Sequence, residues 1–384
     1  MAIGARAVQS GAAQVGSSTR AHLDHLDVIR LSTCIGVVAV HTVELIVPES
    51  RPGGAAVMAL HTTRELFFFL TALVLTYSTG AADRGVAAVP LWRRRYPLIL
   101  VPYLAWTVLY WAGDSVSWGQ LWPPDVNVTQ LGADLLGGWN HLYFLFVTMQ
   151  FYAVFPLLAW ALRRTRGWHW AVLGASAVVE LAGTGLLQYG GAVIPGPLRF
   201  SSENADINLV SYQFAFVAGT LAGAHLDAIV PFLRRNRQWL WLAVGAAALI
   251  GEAAYVINLL LLGLPPLSAA APLQPAIVPL TAAAVLALAL MADGVLLRHP
   301  PNARVRRMFR SGAEASFGIF LAHVAVLYVL VQPPIRSALG LGLLPEIALV
   351  GVTFVLTVAV TWALVEGLRR TPVSRILTGR TRRA

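Results

Sequence analysis

A histidine stands eleven positions after an arginine in the first hydrophobic stretch, Leu26-Asp27-Val28-Ile29-Arg30 to Val40-His41, and Glu44 follows three residues later. On a helix, eleven residues are almost three full turns, so Arg30 and His41 share a face roughly 16 Å apart along the axis. Glu44 falls on the same face, within reach of His41. A guanidinium fork suits a phosphate, as in a nucleotide-bearing donor. A carboxylate beside an imidazole fixes its tautomer and stabilises its protonated form, which suits a general base. Ionisable groups deep in an apolar span are costly, so they usually face a cavity and mark function. Asp27, about one turn before Arg30, reads as its partner at the helix start. Cys34 is two turns before His41 and, as a small buried thiol, needs no function.

Further candidates lie along the chain. Arg93, Arg94 and Arg95 precede the third apolar stretch, where they set topology and offer a second set of phosphate contacts. His141 opens the fourth stretch at the outer surface, in Trp139-Asn140-His141-Leu142-Tyr143-Phe144-Leu145. His323 falls about seven residues into the ninth stretch. These two and Glu65 are the candidates for lining a substrate cavity. Glu180 and Glu252 also lie in apolar surroundings, and nothing ranks them. The chain has no zinc-ligand spacing, no phosphate-binding glycine loop and no serine nucleophile elbow, so no metal is expected.

The elements that must position these residues are membrane spans. Of 384 residues, 57% are hydrophobic and 12% charged, about half the charge of a soluble domain. Apolar runs of about 20 residues recur from end to end, each long enough to cross a hydrocarbon core. They are continuously apolar rather than alternating, which excludes a closed barrel. The predicted fold is therefore all-α and polytopic, with about ten spans: 27–47, 57–79, 96–113, 141–162, 169–188, 207–227, 238–262, 273–297, 316–334 and 345–367. With the N-terminus inside, 24 of the 28 arginines fall on the inner side, and Arg51, Arg64, Arg199 and Arg336 fall outside. That alternation predicts cytoplasmic N- and C-termini in a multi-pass protein of the cytoplasmic membrane. Residues 1–22 are expected to be a disordered cytoplasmic tail without the apolar core of a signal peptide, 23–370 a membrane domain, and 371–384 a basic cytoplasmic tail. The net charge of +10 comes from arginines in short loops, so nucleic acid is not an expected partner. With one cysteine there is no intrachain disulfide. The outer loops 114–140 and 189–206 carry acidic residues, and tryptophans at the first suggest an interfacial belt.

Several of these segments together resemble the acyltransferase-3 family of integral-membrane acyltransferases, over nearly the whole chain. The most specific match is Leu26, Asp27, Arg30 and His41, the family's arginine–ten residues–histidine spacing in its first span. Glu65-Leu66-Phe67-Phe68-Phe69-Leu70 is similar to its phenylalanine-rich second span, with Thr71-Ala72 where members have Ser-Gly. Arg95 occupies the first place of an arginine pair whose second place holds Leu98, so the donor contacts there are incomplete. His141 to Leu145 resembles a His-Leu-Trp-Phe-Leu segment with Tyr143 for tryptophan, and Ser316 to His323 a late Ser-x-x-Ile-Tyr-Leu-x-His pattern with Phe320 for tyrosine. Glu366 stands where members close the last span with an acid. The resemblance implies a membrane O-acyltransferase that moves an acyl group, expected to be acetyl, from cytoplasmic acyl-CoA to a hydroxyl of a glycan, glycolipid or small molecule. His41 with Glu44 would be catalytic, Arg30 and Arg93 to Arg95 would bind the donor, and Glu65, His141 and His323 the substrate. A transporter or flippase using the same buried charges is the rival reading.

Overall fold

Lipid offers no hydrogen bonds, so a chain this apolar satisfies its backbone within helices. The structure is a computed structural model that describes residues 24–115, 128–190, 204–331 and 343–382, and these contain helices and turns but no strand. The 1–22 tail, Trp118, Trp122 and Asp125 of the first outer loop, most of 189–206, and Arg336 lie outside the described residues.

The helices are α1 (Asp24–Ile46), α2 (Arg51–Leu60), α3 (Thr62–Thr79), α4 (Ala88–Ser115), α5 (Val128–Gly137), α6 (Tyr143–Arg164), α7 (His169–Tyr189), α8 (Gln213–Ala224), α9 (Leu226–Arg235), α10 (Arg237–Leu260), α11 (Ile277–Arg298), α12 (Arg304–Leu330), α13 (Leu343–Leu368) and α14 (Ser374–Thr378). Among the described residues, nine segments are long and apolar enough to cross a membrane, α2 and α3 counting as one. The expected span at 207–227 is different. It is a bent pair, with Leu209–Ala224 turning by 94° into α9. Amphipathic α9 anchors through Arg234, whose Nε and Nη2 donate to Asp293 on α11 at 2.9 and 2.8 Å. Polar ends also lengthen two expected spans: the third starts at Ala88, so Arg93 to Arg95 ride on α4 itself, and the ninth starts at Arg304. A hydropathy reading misses such ends because the helix continues beyond its apolar part.

An inner group of α1, α3 and α12 is enclosed by outer helices. Of the apolar window in α12, 67% is buried, against 11% in α10. Outer helices show Leu249, Val178 and Val355 to the surroundings, as a lipid-facing surface requires. Close approach at the centre depends on two glycines of α8. A Cβ on Gly219 would sit 2.1 Å from the Phe69 carbonyl oxygen, and one on Gly223 2.6 Å from that of Leu73.

Both described chain ends lie at one end of the bundle, the end that carries Arg30. Arg306 at the start of α12 pairs with Asp24 at the start of α1 at 3.0 Å. Arg369, just past α13, pairs with Glu366 at 2.8 Å and with Glu314 of α12 at 3.1 Å. Residues expected to trail as a basic tail instead turn back, and α14 packs against α4 and α12.

Candidate active site

Helix α1 is unbroken from Asp24 to Ile46, so the spacing of Arg30 and His41 holds as one rigid rod. His41 Nδ1 faces Glu44 Oε2 at 3.3 Å. The other carboxylate oxygen, Oε1, faces Nε2 of His61 at 3.0 Å, and His61 Nδ1 lies 2.7 Å from the carbonyl oxygen of Ala270. A carbonyl can only accept, so His61 Nδ1 donates to it, and Nε2 is the nitrogen that faces Glu44. His61 reaches this place because it is the joint between α2 and α3. The hydroxyls of Thr62 and Thr63 donate to the carbonyls of Ala59 and Leu60 across that joint at 2.9 and 2.8 Å.

Arg64 is the second residue that sequence reasoning missed, having counted it as an outer-loop charge. Its guanidinium is buried. Nε donates to Glu65 Oε1 at 3.1 Å, Nη2 to the same oxygen and to the Pro272 carbonyl at 3.0 Å, and Nη1 to the Tyr143 hydroxyl at 3.3 Å. Its carbon stands 4.5 Å over the Tyr212 ring. The adjacent carboxylate balances a charge that would otherwise be costly at this depth.

His41, Glu44, His61, Arg64, His141 and Tyr143 line one cavity of ≈ 190 Å3, whose remaining wall includes Val37, Phe67, Phe144, Pro272 and Phe320. His141 is buried there rather than at a surface. A tight turn delivers it. Gly138 has φ +87, where a Cβ would meet the Tyr143 backbone at 2.4 Å, and a 3-10 turn follows over Asn140–Leu142. Trp139 stacks on Tyr110 at 4.2 Å, and Tyr110 donates its hydroxyl to the Leu321 carbonyl at 2.8 Å. Both ring nitrogens of His141 are buried without a protein partner.

His323 stands behind His41, with ring centroids 5.3 Å apart, and 5.0 Å from His141. Its Nδ1 donates to the Phe320 carbonyl at 2.7 Å, while Nε2 is buried and unpartnered. The three rings are close, yet no group of three ligating residues has metal-binding geometry among the described residues. Glu65 does not reach this cavity. It lines a smaller one of ≈ 10 Å3 with Glu180, room for about one water. Glu180 Oε2 accepts from Gln213 Nε2 and from the Phe214 amide, each at 3.1 Å. Cys34 donates its thiol to the Ser316 carbonyl at 3.3 Å and ties α1 to α12.

At the other end of α1, Arg30 is half-buried and within electrostatic reach of Asp27, Tyr152, Arg95 and Arg380. Arg95 donates to the Ser78 hydroxyl at 3.3 Å, while Arg93 and Arg94 are exposed. Of the expected arginine cluster, the structure thus brings Arg95 to Arg30.

This is a multi-span helical membrane protein with a cavity lined by titratable groups inside its bundle and a gathering of arginines at one end. The chain belongs to the acyltransferase-3 family, whose acyltransferase-domain model matches residues 23–366, nearly its whole length. It is therefore an acyltransferase, with an acyl donor and an acceptor as its substrates. No curated protein and no solved structure matches it.

Proposed function

We propose that the protein is an O-acyltransferase of the cytoplasmic membrane that takes an acyl group, acetyl in the simplest case, from cytoplasmic acyl-CoA. The acceptor is a hydroxyl of a glycan, glycolipid or small molecule. The observation that carries this reading is the contact of His41 Nδ1 with Glu44, which leaves Nε2 as the ring's basic nitrogen in a cavity with Arg64 and Tyr143. Donor phosphates dock at the arginine end near Arg30 and Arg95, and the thioester extends to His41. The arginine-rich loops at that end support a cytoplasmic location for it.

In the step itself, His41 Nε2 takes the proton of the acceptor hydroxyl as the oxygen attacks the thioester carbonyl. Glu44 stabilises the imidazolium that forms. The tetrahedral oxyanion accepts hydrogen bonds from the Tyr143 hydroxyl, polarised by Arg64, and the leftover N–H of Arg64 Nη1. Collapse breaks the C–S bond, and the CoA thiolate leaves with the proton held by His41. The ring nitrogens of His141, on the cavity wall, have no protein partner, which suits them to hold an acceptor hydroxyl, while His323 backs His41 from outside the cavity.

The test is acyl transfer by the purified protein in nanodiscs, with labelled acetyl-CoA and a panel of hydroxyl acceptors. Transfer that depends on His41 supports the proposal. CoA-independent movement of a solute or lipid across the nanodisc-equivalent vesicle, without transfer, would sink it in favour of a transporter.

A further inference from the structure

Residues 371–382 return against the bundle at the end where Arg30 lies. Ser374 and Thr378 are fully buried, Ser374 donates its hydroxyl to the Arg380 carbonyl at 2.9 Å, and Trp106 of α4 donates its indole N–H to the Leu377 carbonyl at 2.9 Å. Gly379 adopts φ +64, and a Cβ there would lie 2.6 Å from the Phe317 ring and 3.1 Å from the Leu98 carbonyl oxygen. The turn is therefore wedged between α4 and α12, and only glycine fits it.

This docking fixes where Arg380 emerges. Leu98 is one turn beyond Arg95 on α4. Phe317 follows Ser316, whose carbonyl accepts the Cys34 thiol, and Cys34 is one turn beyond Arg30 on α1. Arg380 thus follows a glycine seated between α4 near Arg95 and α12 near the α1 contact, and Arg30 is within electrostatic reach of both Arg380 and Arg95. Three other arginines at this end are held by carboxylates: Arg306 by Asp24, Arg234 by Asp293, and Arg369 by Glu314 and Glu366. Among the described residues, no carboxylate forms an ion pair with Arg95 or Arg380. Asp27 is one negative charge beside three positive ones. Such a gathering favours a multiply charged anion of matching shape.

We propose that Arg30, Arg95 and Arg380 form one phosphate-binding site, with the docked 374–380 segment as its wall and the phosphates of the acyl donor as its ligand. The proposal rests on the acyl-CoA reading above and adds to it a residue and an element. It makes the C-terminal segment part of the donor site rather than a loose tail.

The experiment measures binding of CoA, and of pantetheine as the phosphate-free control, to purified full-length protein in lipid-free detergent. Arg380 has an exposed side chain, so Arg380→Ala leaves the fold intact. It should raise the Kd for CoA by about 10- to 100-fold, the range of one charge-assisted hydrogen bond, without changing pantetheine binding. Arg380→Glu should weaken CoA further, and a chain lacking residues 373–384 should lose at least as much as Arg380→Ala. Wild-type affinity in both substitutions, alongside weakened binding in Arg30→Ala, overturns this inference and leaves the donor reading standing. Tighter binding by the shortened chain overturns it too, since the segment would then obstruct the site. Loss of co-purifying anionic lipid with CoA binding intact assigns Arg380 to a lipid headgroup and also overturns it. If wild-type protein binds no CoA, the donor reading itself falls.

Discussion

A second histidine makes the histidine–carboxylate group more than a pair. Glu44 Oε2 faces His41 Nδ1 and Oε1 faces His61 Nε2, while His61 is anchored through Nδ1 on the Ala270 carbonyl. Glu44 is thereby held from two sides, so its oxygen stays aimed at His41. Replacing His41 with alanine should lower acyl transfer by about 10²- to 10⁴-fold while CoA binding persists, which a paired rate and binding measurement checks. Glu44→Gln should cost less and should change the pH profile of kcat, because the imidazolium loses its anionic partner. His61→Ala should reproduce much of the Glu44→Gln defect, and the double substitution should add little to either, as expected for residues acting as one unit. A fully additive double would make His61 a bystander. On the opposite wall, Tyr143→Phe should cut kcat by roughly 10²-fold or more with KM for the donor little changed, if its hydroxyl meets the oxyanion.

Helix α1 was legible from sequence because its information is local. Arg30, His41 and Glu44 lie on one rod, and 3.6 residues per turn suffices to align them. The remainder of the cavity joins residues by contacts between elements. His61 depends on the α2–α3 joint and the Ala270 carbonyl, Arg64 on a tyrosine of α6 and a carbonyl at Pro272, and His141 on the left-handed turn at Gly138. No spacing rule within one segment reports those meetings. The stretch after Thr371 likewise read only as a basic cytoplasmic tail, because the fit of Gly379 against Phe317 exists only once α4 and α12 are assembled. Helix packing supplies its own test. Gly219→Val would drive a branched side chain into the Phe69 backbone, and should destabilise the bundle by about 1–3 kcal/mol, read as a lowered Tm in detergent. Gly245 faces open space on α10, and Gly245→Ala should leave Tm unchanged or slightly raised.

For the whole molecule, the bent pair decides parity. Helix α8 runs along α3 from the neighbourhood of Phe69 to that of Thr76, so it traverses much of the same depth before α9 turns away. Counting that traverse as a crossing gives ten, an even number, in keeping with both described ends meeting at the Arg30 end. In the proposed topology, the arginine distribution makes that end the cytoplasmic one. Reporter fusions at the N- and C-termini should therefore both report a cytoplasmic location. A split result would make the bent pair a re-entrant element and remove the sidedness from the proposed chemistry.

Cys34 has a bearing on how such questions are asked. It is the chain's one cysteine, 1% exposed, and its thiol is occupied by the Ser316 carbonyl. A water-soluble maleimide has no route to it, so the unaltered protein should remain unlabelled and serve as its own blank. Any cysteine introduced at a helix end then becomes a sole reporter, and its labelling from one side of a sealed vesicle reads orientation without first stripping the protein of native thiols.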